Sequence, residues 1–297
     1  MKWNEIFIVV RWETIEHLVS PCSYQGGKQR VAKEIVDYIL NTTFVTNDTK
    51  FYDLCCGSGA VTIELLNRGI PPNKIVMCDI SSWGVFWKSV GEGTFDLNKF
   101  YTYSKAVPRD KLLIQSHIKA LSQTNADIDE EYKYILLQAS SFGGKQIWNT
   151  NGKWQNTSFR DYWQPTATSK RRSPVNPMQP MIDILEKRIE NIVVNCKGLT
   201  CYHKDIYEMI DIIEKDKSEY QIIYIDPPYT NTTGYGYNFI ISDFLSQLFN
   251  VTLGAIFVSE KEPISDDEAI KLNFAGAKGG ISGNKKCKND EWLNVFR

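Results

Sequence analysis

With 297 residues, 42% of them hydrophobic and 23% charged, the chain has the length and composition of one substantial soluble core, or of a core carrying an inserted subdomain. A formal net charge of −1 excludes a protein coated with basic residues, so any nucleic-acid contact has to be concentrated in a patch. Seven cysteines, with Cys55 and Cys56 adjacent and no CxxC pair, suit reduced thiols in a cytosol better than a disulfide framework.

The N-terminal stretch "MKWNEIFIVVRWETIEHL" holds a five-residue apolar run broken by Arg11. That is too short for the core of a signal peptide or for a membrane span, and the expected location is cytoplasmic. Residues 1–20 are an extension to which no role is assigned. From Lys28 to Leu40, apolar groups at 31, 32, 35, 36, 39 and 40 have helix spacing. "KFYDLCCGSGAVTIELLNRG" then reads as a short strand, a glycine-rich turn and a helix stopped at Gly69. "KIVMCDI" predicts a second strand ending on Asp79, followed by a Trp-rich helix from about Trp83. Two strands, each followed by a helix, predict parallel βαβ packing.

Beyond residue 105 the pattern changes. Residues 109–140 predict two helices, and the segment from Phe142 to Trp163 predicts a hairpin turning at Asn151-Gly152. "ATSKRRSPVNPMQP" is a basic loop punctuated by prolines. A helix is expected over 180–195, after which the alternation resumes with strands in "GLTCYHKD", "EYQIIYID" and "LGAIFVSE". The simplest organisation is one α/β catalytic unit, residues 21–104 and 191–297, interrupted by an insert over 105–190.

Two motifs carry chemistry. In "DLCCGSGA", Gly57 and Gly59 let the backbone turn tightly and approach a ligand beside a helix N-terminus. The third glycine of the dinucleotide fingerprint is absent, because Thr62 stands there. Asp79, 20 residues beyond Gly59, ends the second strand where an acid accepts both hydroxyls of a ribose. The alternative is a tight turn with a surface aspartate.

The second motif is "IIYIDPPYTN". An acid or amide followed by Pro-Pro and an aromatic arises by composition in roughly one chain in a hundred of this length. Here it falls at the end of a predicted parallel strand, where α/β proteins bind ligands. The prolines fix φ and remove two amide donors, leaving the Asp226 carboxylate and the Pro227 carbonyl as rigid acceptors beside Tyr229. Two acceptors gripping an exocyclic amine would bend its nitrogen toward tetrahedral and aim the lone pair at an electrophile, with Tyr229 stacked on the ring.

"YQGGK" (24–28), "DLCCGSGA" (53–60), "MCDI" (77–80), "HKDI" (203–206) and "DPPY" (226–229), in that order, resemble the motifs of Dam-type DNA adenine-N6 methyltransferases, phage-type and orphan members among them. The resemblance spans about residues 22–262. It implies a class I methyltransferase (Rossmann-like) α/β fold: a seven-stranded, mostly parallel sheet with a reversed last hairpin and a target-recognition insert. It also implies methyl transfer from S-adenosyl-L-methionine to the N6 amine of a flipped-out adenine in double-stranded DNA. Tyr24, Gly26, Gly27 and Lys28, with Asp53, Cys55, Gly57 and Gly59, would hold the cofactor, Lys28 and the Gly26-Gly27 turn at its methionine part. Asp79 would hold the ribose and Asp205 the cofactor's adenine. Asp226, Pro227, Pro228 and Tyr229 would hold the target base, Asp226 facing the cofactor as well. Cys55 stands where the family usually has an aromatic, and Asp53 replaces the commoner glutamate.

Residues 141–180 hold six Lys/Arg against one acid, a local charge of +5, interleaved with aromatics. Lys145, Trp148, Asn149, Lys153, Trp154, Arg160, Lys170, Arg171 and Arg172 are the expected DNA contacts, with Tyr237 beyond the insert. A solvated hairpin over a small aromatic core is the plain alternative. "NTTGYGYNF" (231–239) reads either as a lid over the base or as a glycine-rich loop, and "AKGGISGNKKCKNDEW" (277–292) as a backbone contact or a surface hairpin. Cys196, Cys201 and His203 lack a fourth ligand at zinc spacing, and no metal is expected. The expected state is a monomer in the cytoplasm of a bacterial cell or phage-infected host, with a cognate restriction enzyme as a candidate partner. The rivals are an RNA base-amine methyltransferase and a catalytically silent DNA-binding protein that keeps the fold.

Overall fold

The computed structural model describes residues 17–228, 239–265, 268–272 and 291–296. The calls on Tyr229 and Tyr237, and most of both glycine-rich stretches, lie outside them. In chain order the strands are β1 (Thr49–Leu54), β2 (Ile75–Cys78), β3 (Trp148–Thr150), β4 (Lys153–Gln155), β5 (Thr200–Tyr202), β6 (Tyr220–Ile225), β7 (Ala255–Glu260), β8 (Glu268–Lys271) and β9 (Trp292–Phe296). The helices are α1 (Ala32–Thr42), α2 (Ala60–Asn67), α3 (Ser82–Glu92), α4 (Leu97–Ala106), α5 (Lys111–Leu121), α6 (Glu130–Ser140), α7 (Ile182–Asn195), α8 (Met209–Lys215) and α9 (Ile241–Leu248).

Seven strands form one sheet in the order β5-β2-β1-β6-β7-β9-β8. From β5 to β7 every pairing is parallel, whereas β9 runs antiparallel to both β7 and β8. The mostly parallel sheet expected from the family resemblance is therefore present, and β9 is its reversed strand. Period-2 alternation sends successive side chains to opposite faces. Phe51, Ile75, Met77, Tyr224 and Phe257 enter one core, while Tyr52, Leu54, Val76, Ile223 and Val258 enter the other. Each face is covered by helices: Ile35 and Ile39 of α1 pack on the first, Met209 of α8 and Phe244 of α9 on the second. Coverage on both sides explains why these strands read as continuous apolar runs.

Residues 105–190 contribute to the first core. α6 is buried along nearly its whole circumference, from Tyr132 to Ser140, which marks a central helix and not a surface one. Its Tyr134 meets Trp83 of α3 edge-on at 5.1 Å, and Trp83 and Trp87 are fully buried. Lys133, also buried, donates to the Asn125 carbonyl and fastens the α5–α6 connection. The β3–β4 hairpin turns at Asn151 and Gly152, both at positive φ, as the Asn-Gly pair predicts. One boundary differs from expectation. α1 begins at Ala32, and Lys28 lies in the preceding turn, where its side chain is released from the helix surface.

Candidate functional site

Parallel strands deliver their C-terminal ends to one edge, so the strand order becomes a linear order of side chains. Asp205 follows β5, Asp79 follows β2, the glycine turn follows β1, and Asp226 follows β6. A single cleft runs along this edge. It is lined by Tyr24, Gly26, Gly27, Lys28, Asp53, Cys55, Gly57, Asp79, Asp205, Asp226, Pro227 and Pro228 among others. The structure thus brings the expected motif residues together from four strand ends and the N-terminal turn.

Local folding fixes each group. Asp53 is buried at the end of β1, and its Oδ2 accepts from Thr62 N at 3.1 Å and Thr62 Oγ1 at 2.7 Å, which ties the strand to the first turn of α2. Burial pushes its carboxyl up to about 7, against the pull of the Thr62 bonds. Cys55, Gly57 and Gly59 alternate in the left-handed region at φ 59°, 49° and 69°. Gly57 must lack a Cβ, since one would approach the Tyr24 ring to 2.9 Å. Gly59 has a different reason. A Cβ there would lie 2.4 Å from Trp87, so this glycine serves the packing of a buried indole and stands off the cleft. The same indole donates to Gly57 O at 2.9 Å.

Asp79 holds the turn from the other side. Its Oδ2 accepts from Gly57 N at 2.8 Å, and its Oδ1 accepts from Ser81 N at 2.8 Å and Ser81 Oγ at 2.6 Å. Three bonds leave part of a carboxylate's acceptor capacity for a ligand. Asp205 caps the 3-10 turn Ile206–Glu208, accepting from Tyr207 N at 2.9 Å, and is exposed at the opposite end of the cleft from Asp226.

At the β6 end, Asp226 pairs with Lys28 Nζ at 2.6 Å, and Lys28 also donates to Gly26 O at 3.1 Å. Glu291, immediately before β9, lies 3.5 Å from the same ammonium. Burial pushes the Asp226 carboxyl up to about 7, although Lys28 pulls it down. Burial opposes the charge on Lys28, yet Asp226 and Glu291 hold its ammonium above the usual range. Glu260, at the end of β7, is also raised by burial. Lys28 therefore faces two acids, Asp226 and Glu291, and removing one partner of such a buried pair typically costs about 3–5 kcal/mol.

Glu291, Glu260, Ser58 and Gln146 were not singled out from the sequence. For Glu260, the last residue of the predicted strand in "LGAIFVSE", and for Glu291 a signal did exist. A reversed last strand begins where the parallel strands end, so its first residue joins their ligand edge. Ser58 sits inside the quoted glycine turn, but nothing in the sequence pointed to Gln146.

The insert divides. Lys145, Lys153, Lys170, Arg171 and Arg172 are exposed, and Trp148 is half-buried. Two expected DNA contacts need correction. Trp154 is 7% exposed and stacks on Tyr134 at 6.2 Å, because alternation along β4 turns it inward while Lys153 points out. Arg160 is 8% exposed, where the chain returns against Ser140. Neither side chain is accessible to a nucleic acid. Asn149 is held within the insert, donating to Asp127 at 2.8 Å and Glu130 at 2.9 Å.

A family model described as D12 class N6 adenine-specific DNA methyltransferase matches residues 24–258, from the first motif into β7. No curated protein matches the chain.

Proposed function

Because the chain belongs to the D12 class N6 adenine-specific DNA methyltransferase family, we propose that it transfers a methyl group from S-adenosyl-L-methionine to the N6 amine of an adenine flipped out of double-stranded DNA. The carrying observation is the placement of Asp226 and the two prolines in the same cleft as the glycine turn and Asp79.

The residues present fit the cofactor. Ser58 Oγ and Gln146 Oε1 are buried at the cleft without a hydrogen-bond partner. The turn at Gly57 admits a close backbone approach, and the acids along the edge favour a cation. Asp79 and Asp205 would hold the nucleoside part, and the 24–28 turn with Asp53 the amino-acid part. When bound, the cofactor supplies an electrophilic methyl on a sulfonium.

The chain's own residues do the positioning. Asp226 and the Pro227 carbonyl accept the two hydrogens of the amine, directing its lone pair across the cleft. Lys28 keeps the Asp226 carboxylate in one orientation and tolerable in a buried setting. After transfer the amine carries one proton too many, and Asp226, with its raised proton affinity, is the nearest acceptor. Rate enhancement then comes from orientation and fixed charge, with no strong base required.

On this reading residues 21–104 and 191–297 form the catalytic unit, and 105–190 carry the DNA-facing insert. The exposed Lys145, Lys153, Lys170, Arg171 and Arg172 meet phosphates. Among the described residues no helix is long and apolar enough to cross a membrane. Asp226→Ala should lose methyl incorporation into adenine of duplex DNA by at least about a hundredfold while S-adenosylhomocysteine still binds. Full activity in that variant refutes the assigned role.

A further inference from the structure

Gln146 belongs to the insert, yet it lines the cleft. It is 5% exposed, and its Oε1 meets no donor. A buried amide oxygen without a partner is unfavourable, and at the wall of the cleft a ligand can supply the missing donor. The backbone around it is fixed with unusual care. Gln138 of α6 donates to Lys145 O at 3.0 Å and accepts from Ile147 N at 3.0 Å, gripping the residues on both sides of Gln146. Asn156 Nδ2 donates to Gln146 O at 2.7 Å.

Position identifies the donor. Gly144 O accepts from Gln25 N at 2.7 Å, which fastens this part of the insert to the 24–28 turn. That turn faces the β1 and β6 ends of the cleft, where Tyr24 abuts Gly57 and Lys28 pairs with Asp226. Asp205 and Asp79 lie toward the opposite end, after β5 and β2. A ligand spanning the cleft with its nucleoside over Asp79 and Asp205 brings its amino-acid end to Gln146. The donor available there is an α-ammonium. Ser58 Oγ, the second unpartnered atom, lies 3.4 Å from the position a Cβ of Gly27 would take, on the same side.

We infer that Gln146 accepts a hydrogen bond from the α-ammonium of the cofactor's amino-acid end, so that the DNA-facing insert itself contributes to cofactor binding. This rests on the methyltransferase reading and adds to it a binding residue from outside the catalytic unit. Asn156, which follows β4, anchors the Gln146 backbone to the end of the β3–β4 hairpin.

The test uses two probes and two variants of the full chain. S-adenosylhomocysteine carries the amino-acid end, and 5′-methylthioadenosine lacks it. Gln146→Leu removes the acceptor at nearly constant volume, and Gln146→Glu keeps one. By calorimetry, Gln146→Leu should weaken S-adenosylhomocysteine about tenfold or more and leave 5′-methylthioadenosine within about twofold, while Gln146→Glu retains S-adenosylhomocysteine affinity. Unchanged S-adenosylhomocysteine affinity in Gln146→Leu overturns the inference, as does an equal loss of both probes, which would mark a purely structural side chain. If wild-type protein binds neither probe, the cofactor reading fails and takes this one with it. If wild type binds both probes and Gln146→Leu binds them equally well, the inference fails while the cofactor reading stands.

Discussion

Asp226 is a carboxylate that the fold keeps both buried and paired. Its proton affinity is raised to about 7, so below that pH much of the free enzyme holds it protonated, with one acceptor blocked by a proton. The specificity constant, which reports free-enzyme ionisations, should therefore rise with pH through an inflection near 7. Asp53 is raised to a similar value by burial, with its Oδ2 held by Thr62; Asp53→Asn removes that second titration and should keep the inflection that belongs to Asp226. A pH-independent profile in wild type, or loss of the inflection in Asp53→Asn, would contradict this assignment. The residue scale is also where sequence reading reached its limit. Asp226 and Lys28 were each identified, but not as partners, since they stand 198 positions apart and meet only when β6 is laid beside β1.

Elements decide which side chains of a motif are free. The basic, aromatic hairpin reads from sequence as DNA-facing with some of its Trp side chains in a core, and a two-stranded ribbon, with an inner and an outer face, sorts them. Trp154 and Lys153 are neighbours with opposite fates. Trp154→Ala should destabilise the fold by about 3–5 kcal/mol, seen as a lower denaturation midpoint. Replacing Lys170, Arg171 and Arg172 together with Ala should leave that midpoint unchanged and weaken DNA binding. The slope of log affinity against log salt should fall by up to about 2.7, the contribution of three phosphate contacts. An unaltered slope would remove this loop from the interface. The Asn-Gly turn was legible because I′ geometry is local, whereas the facing of the strands depended on α6, against which they pack.

For the whole molecule, a buried acid knot links stability to pH. Asp53 and Asp226 have folded-state proton affinities above those of the unfolded chain, so the native state binds protons more tightly. Their contribution is full below the unfolded value near 4 and is lost as pH rises toward 7. Thermal midpoints should fall between about pH 5 and 7.5, and Asp53→Asn should flatten the decline. A midpoint that climbs over this window would reverse the sign. The chain's motifs and their order determined by themselves that a glycine turn and a proline-stiffened acid stand at strand ends, because turn chemistry and strand termination are local. Tertiary structure alone decided that Lys28 neutralises Asp226, that Glu291 joins them from a reversed strand, and that Gln146 reaches the cleft from the insert. Those meetings depend on where distant segments return, and no short stretch of sequence carries that information.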